Sequence, residues 1–183
     1  MPTIFSHAAF ALITTRAGFR KSATWPILAT AAFCSIAPDF DVAAFAFGIP
    51  YGSMFGHRGF THSIAFAVLL GAISAIAYKI IAKPDTSLTR LFVLFSLATL
   101  SHPLLDMLTN GGLGVALFAP FSGERYFSPW RPMQVSPIGA DFVSWRGIEV
   151  ILSEIIWAWL PALLFYLAAA ALRKFARRRQ KIN

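Results

Sequence analysis

His57-Arg58-Gly59-Phe60-Thr61-His62-Ser63 runs directly into Ile64 to Ala82, a stretch whose one charged side chain is Lys79 near its end. A helix of that length rises about 28 Å, close to the roughly 30 Å hydrocarbon core of a bilayer. Thr61 or Ser63 offers a hydroxyl to cap its first turn. The whole chain carries the same signature, with 57% hydrophobic and 13% charged residues and a mean hydropathy of +0.63. Soluble domains hold about 45–50% apolar and about 25% charged residues. The fold class read from this balance is all-α, a polytopic membrane helical bundle. Residues 1–183 form a single membrane-embedded domain, with 173–183 as its basic tail.

About five apolar helices are expected. Thr3 to Thr15 is helix-like but short, and no Lys or Arg precedes it in the manner of a signal peptide, so it is expected to remain in the mature protein. Arg16, Arg20 and Lys21 mark a basic turn. Trp25 to Ala37 is the second apolar run, expected to stop at Pro38 and the pair Asp39 and Asp41. Val42 to Phe55, broken by Gly48, Pro50 and Gly52, reads as an interfacial connection. Leu91 to Leu108 forms a further span with His102, Pro103 and Asp106 towards its far end. Residues 113 to 147 read as loop, and Ile148 to Leu172 is the last span, with Pro161 as its kink. Cys34, the single cysteine, excludes an intramolecular disulfide and a thiolate metal cluster.

The net charge of +8 does not describe a nucleic-acid-binding face, because six of the sixteen basic residues lie between Arg173 and Lys181, just past an apolar segment. Basic residues mark the cytoplasmic side of membrane proteins. With the tail inside, alternation places Arg16, Arg20, Lys21, Lys79, Lys83 and Arg90 there too, provided the first helix counts as a span. His7, Asp39, Asp41, His57, His62, His102 and Asp106 then all fall towards the outer face. Four separate segments deliver ligand-type side chains to one membrane level.

These residues can hold a metal. His102 and Asp106, four apart, share a helical face. Asp39 and Asp41 repel each other unless a cation or a proton intervenes. His57 and His62 cannot share a helical face, so a loop-to-helix transition must bring them together, with Gly59 expected to supply the bend. Imidazoles and carboxylates without thiolates suit zinc, manganese or iron, and seven such residues allow one or two ions or more. Asp39 is the better ligand of the acidic pair, whereas Asp41 can bridge, orient a histidine or act as general base. Arg58, Arg125 and Arg131, with Trp130, are suited to an anionic substrate group or lipid headgroup. A bound metal that lowers the pKa of water to about 7 makes a hydrolytic site.

Ser6-His7, Pro38-Asp39-Phe40-Asp41, His57-Arg58-Gly59-Phe60-Thr61-His62-Ser63 and His102-Pro103-Leu104-Leu105-Asp106 resemble the inner-membrane metal-dependent hydrolases of the YdjM type. Pro120-Phe121-Ser122 and Pro129-Trp130-Arg131-Pro132 add to the likeness, which covers roughly residues 1 to 140. That family is in turn distantly similar to zinc-dependent phospholipase C and its single-strand nuclease relatives. The resemblance implies a multi-pass protein of a bacterial or archaeal inner membrane. It also implies hydrolysis of a phosphoester, or a related ester, in a lipid or lipid-linked substrate. His102 and Asp106 match the superfamily's ligand pair, and Asp41 and Arg58 are the candidate catalytic residues. Membrane lipids are the expected partners and no nucleic acid is expected. The competing readings are a non-enzymatic metal-binding membrane protein, whose closed site would leave no open coordination position, and an ion transporter, whose polar groups would line a path across the bilayer.

Overall fold

The computed structural model describes residues 1–137 and 142–180. Helix α1 (Ile4–Gly18) starts at Thr3, whose side chain accepts from the Ser6 amide. Helix α2 (Trp25–Ile36) carries Pro26 in its first turn, where the missing N–H costs nothing. Contrary to the sequence expectation, this segment does not stop at Pro38. It continues as a 3-10 helix, Ala37–Phe47, and closes at Gly48 with φ of 71°. Pro38 sits in the first turn of the tighter helix, so its ring starts a new winding without breaking the rod. The 3-10 pitch has a consequence for the acidic pair: at about three residues per turn, Asp39 and Asp41 point some 120° apart.

Ser63 caps α3 (Ile64–Ala82) by accepting from the Phe66 amide, whereas Thr61 turns back to Asp41. Helix α4 (Leu88–Met107) returns antiparallel to α3. Helices α5 (Trp145–Glu154) and α6 (Leu160–Arg179) form one rod through a π-helical segment, Ile155–Trp159. The irregularity expected at Pro161 thus takes the form of a wider winding just before it, which relieves the clash of the ring with the preceding turn. Among the described residues, four segments are long and apolar enough to cross a membrane: Trp25–Phe47, Ile64–Ala82, Leu88–Met107 and Trp145–Arg179. Helix α1, about 22 Å long, is shorter than a span and packs on α2 and α6.

The interior combines small side chains with a few large ones. Ala11, Ile27, Ala31, Cys34, Ala75, Leu91, Leu94, Phe95 and Ala98 form the main buried cluster. Lipid tails are as apolar as leucine, so helices in a bilayer gain by close backbone approach more than by apolar burial. Ala67, Gly71 and Ala75, one turn apart, face α4. A Cβ on Gly71 would collide with the Ser96 side chain and lie 2.6 Å from its backbone nitrogen. The large apolar side chains point the other way, as Ile73, Ile76 and Ile80 on α3 and Leu163, Leu164 and Leu167 on α6 do.

Gly71→Leu is therefore expected to lower the unfolding free energy of the detergent-purified protein by about 1–3 kcal/mol, the cost of overpacking. Thermal unfolding of the two proteins side by side checks this, and an unchanged midpoint would contradict the packing described.

Candidate metal centre

All seven residues read from the sequence as possible ligands meet at one end of the bundle, and all are buried. Helix α1 contributes His7, the 3-10 helix Asp39 and Asp41, the loop before α3 His57 and His62, and the end of α4 His102 and Asp106. The loop turns sharply, but not where glycine was expected to turn it. Arg58 is the residue in the left-handed region, with φ of 61°. Gly59 instead gives room, because a Cβ there would run into the Met54 carbonyl oxygen. The strained Arg58 conformation, costly for a non-glycine residue, is held by its amide donating to Asp41 Oδ2 at 3.1 Å and by a fully enclosed guanidinium.

At the centre, four ligand atoms face one another. His62 Nε2 and His102 Nε2 lie 3.0 Å apart. Asp39 Oδ1 is 3.6 Å from the first and 3.3 Å from the second. Asp106 Oδ2 is 3.4 Å from His62 Nε2 and 3.9 Å from His102 Nε2. Ligands about 2 Å from a tetrahedral zinc are separated by about 3.3 Å from each other, so these spacings match what such an ion requires. The surrounding groups fix the tautomers accordingly. His102 Nδ1 donates to the Ser35 carbonyl at 2.7 Å, and His62 Nδ1 lies 3.1 Å from Asp41 Oδ2, which leaves both Nε2 lone pairs aimed inward. Both oxygens of Asp39 and of Asp106, and both ring nitrogens of His7, are buried without a well-aligned hydrogen bond among the described residues; their near polar neighbours are one another, the other histidines and Arg58 Nε, 3.0 Å from Asp106 Oδ2. Buried polar atoms are rarely left so, and a cation among them would satisfy the set. The residues present fit a divalent metal with nitrogen and oxygen ligands.

His7 flanks this group: its ring stacks on His102 at 3.7 Å, and its Nε2 is 3.5 Å from Asp106 Oδ1. Asp41 stands one step back. Its Oδ1 accepts from His57 Nδ1 at 2.6 Å, and its Oδ2 accepts from Thr61 and the Arg58 amide. Asp41, His57 and His62 nevertheless have ligand atoms close enough to form a second group sharing His62. Burial by itself disfavours a charged His62, but the adjacent carboxylates of Asp106, Asp39 and Asp41 outweigh it and raise the imidazole pKa. A raised pKa keeps the proton on His62 until the pH passes that value, and a protonated ring cannot ligate. Metal binding must therefore expel this proton, and it tightens as pH rises.

The cationic and aromatic residues read as substrate contacts are differently placed. Arg58 Nε is 3.0 Å from Asp106 Oδ2, and its terminal nitrogens donate to the Gly111 carbonyl and Thr109 Oγ1. Arg125 donates to the carbonyls of Tyr51, Ser53, His57, Arg58 and Gly114, stapling the ligand loop to the loop after α4. Trp130 packs edge-on against Trp157 and Arg131 lies over Phe127, both exposed. Sequence reasoning noted Glu154 in the last span but gave it no role at the site. This fully buried carboxylate in the last span accepts from the Thr3 amide at 2.6 Å, Thr3 Oγ1 at 2.7 Å and Ser6 Oγ at 2.5 Å. It anchors the turn that carries His7, and a carboxylate within an apolar span was the available signal.

The family described as YdjM inner membrane protein matches residues 1–176. The chain belongs to it. The inner membrane protein YbcI of Escherichia coli strain K12 is 37% identical over 165 residues, which cover 90% of this chain and 94% of that protein. No solved structure matches. The membrane setting expected from composition therefore holds for the family as well as for the four spans.

Metal analysis of detergent-purified protein tests the centre. His102→Ala and Asp39→Ala are each expected to lower bound metal severalfold or more, while Arg131→Gln retains it. Full metal in both alanine variants would rule the centre out. Lowering the pH of the wild-type protein is expected to release metal, measured by dialysis at a series of pH values.

Proposed function

We propose that this chain is a membrane-embedded, metal-dependent hydrolase acting on a phosphoester, or related ester, in a lipid or lipid-linked molecule. The observation that carries this reading is the buried His/Asp cluster with its unsatisfied ligand atoms. A divalent metal, with zinc the best match to the donor set, would supply Lewis acidity and an activated water. Asp39, His62, His102 and Asp106 would hold it, with His7 alongside. Arg58 keeps Asp106 in place. His57, with Nδ1 bound to Asp41, has its other ring nitrogen to accept a proton, and Asp41 orients it; in this reading the pair shares the role of general base.

A cavity of about 380 Å³ ends on Asp39 and supports a lipid substrate. Its walls include Met1, Phe5, Phe40, Val42 and Phe142, a lining that suits an acyl or prenyl chain better than a sugar or a nucleotide. Trp130 and Arg131, exposed on the loop after α4, are the side chains open to a headgroup. Transport is less well supported: among the described residues, the groups of three or more metal-type ligands occur only at this end of the bundle.

The test is turnover of phospholipids and lipid-linked phosphates in mixed micelles by zinc-loaded protein. His57→Ala is expected to lower kcat about 100-fold or more with bound metal retained, in the range of general-base removal. Equal product release by wild type and His102→Ala would defeat the hydrolase reading. With the basic end of the bundle taken as cytoplasmic, the cluster lies towards the outer face. Gly123, where a Cβ meets nothing within 4 Å, suits a reporter cysteine in a Cys34→Ala background. Gly123→Cys should react with an impermeant thiol reagent from the periplasmic side; labelling only from the cytoplasm would reverse the orientation.

A further inference from the structure

The end of the molecule away from the metal centre has a different chemistry. A cavity of about 520 Å³ is walled by Arg20, Arg173, Lys174, Arg177 and Arg178, with Tyr166. A second, of about 310 Å³, shares Arg20 and Arg173 and adds Lys21 and Arg90. These cations arrive from the turn after α1, the start of α4 and the end of α6, far apart in sequence. Arg90 and Asp106 lie sixteen residues apart on α4, about 24 Å along its axis, so the basic cavities and the metal centre sit at opposite membrane levels.

A topology signal requires only a count of basic residues on one side of the bilayer. It does not require them to converge on a concave surface, where like charges repel. Arg173 has a local explanation, because it donates to the Ala17 carbonyl in the last turn of α1 at 2.6 Å, where a helix end favours a cation. Arg177 and Arg178 lie in the last turn of α6, where the helix end favours them too, but none of Arg20, Lys21, Arg90, Lys174, Arg177 and Arg178 is ion-paired with a carboxylate among the described residues. Tyr166 lines the same wall, and the exposed apolar side chains of α6, Leu163, Leu164, Phe165 and Leu167, adjoin it. Guanidinium forks with a tyrosine hydroxyl are suited to phosphate oxygens, and the adjoining apolar faces to acyl chains.

We propose that these joined cavities form a binding site for a phosphate group, that of an anionic phospholipid headgroup in the leaflet away from the metal centre. The site is independent of the hydrolase reading and holds a lipid without reacting with it.

Native mass spectrometry of the full chain, purified in neutral detergent and offered equal phosphatidylglycerol and phosphatidylcholine, tests this. The wild type should retain phosphatidylglycerol in preference, and Arg20→Gln with Arg177→Gln should lower its retention by about tenfold. Both residues are exposed, so the pair leaves the fold intact, which an unchanged unfolding midpoint would verify. Lys83→Gln with Arg179→Gln removes the same charge from the same end but outside the cavities, and should leave retention near wild type. Equal retention of the two lipids, or an equal loss in the control pair, would overturn the site. Millimolar inorganic phosphate forms the second arm. Lipid that resists it assigns the site to the headgroup, whereas displacement, lost in the Arg20 and Arg177 pair, assigns it to free phosphate.

Discussion

Three aspartates, Asp39, Asp41 and Asp106, are buried against one guanidinium, that of Arg58. With neutral histidines the set carries two unbalanced negative charges in a region where an uncompensated ion costs several kcal/mol. A proton on His62 offsets one of them; a divalent cation at the point where four ligand atoms face each other would offset both. The rest of the architecture follows from this balance. Each aspartate is supplied by a different winding or a different face, so that no helix has to carry two adjacent buried charges outward. Arg58 accepts an unfavourable backbone conformation in order to reach Asp106, and Arg125 collects five carbonyls to keep that loop closed.

The packing is consistent with a site of this kind. Small side chains at the helix contacts let backbones approach closely, which favours the meeting of imidazoles from α1, α4 and the loop before α3. Ala67, Gly71 and Ala75 on α3, and Ala11 and Ala31 between α1 and α2, permit closer contact. The stacked rings of His7 and His102, 3.7 Å between centroids, are the sharpest expression of that closeness.

Much of this was legible in the sequence, because membrane helices restrict where charge can go. The fold class followed from composition, and the i, i+4 pair on α4 and the histidines before α3 pointed to candidate ligands that the fold brings together. The assignments inside the site were less legible. Asp39 and Asp41 look equivalent along the chain and separate only once Pro38 proves to start a 3-10 helix, whose pitch turns one towards His102 and the other towards His57. Arg58 and Arg125 look like anion clamps, yet their partners are protein atoms that come from loops with no periodicity to read. Gly59 was expected to turn the chain, but its lack of a Cβ serves a close approach that only tertiary structure reveals.

The last span shows how far the site depends on groups that are not part of it. Most of its large apolar side chains face lipid, where leaving the bundle would cost them little. What it turns inward is a narrow stripe: Gly147, Val150, Glu154, Ala158 and Ala162. Three donors from Thr3 and Ser6 converge on Glu154, and Trp159 Nε1 donates to Ser6 Oγ at 2.7 Å. The π-helical winding begins immediately after Glu154 and includes Trp159, so the extra residue in that turn brings both side chains onto the same face. Polar contacts in a bilayer are directional where apolar ones are not, and here they set the depth of the first turn of α1. His7 follows Ser6 in that turn. The position of a ring stacked on His102 is thus fixed from a helix that contributes no ligand.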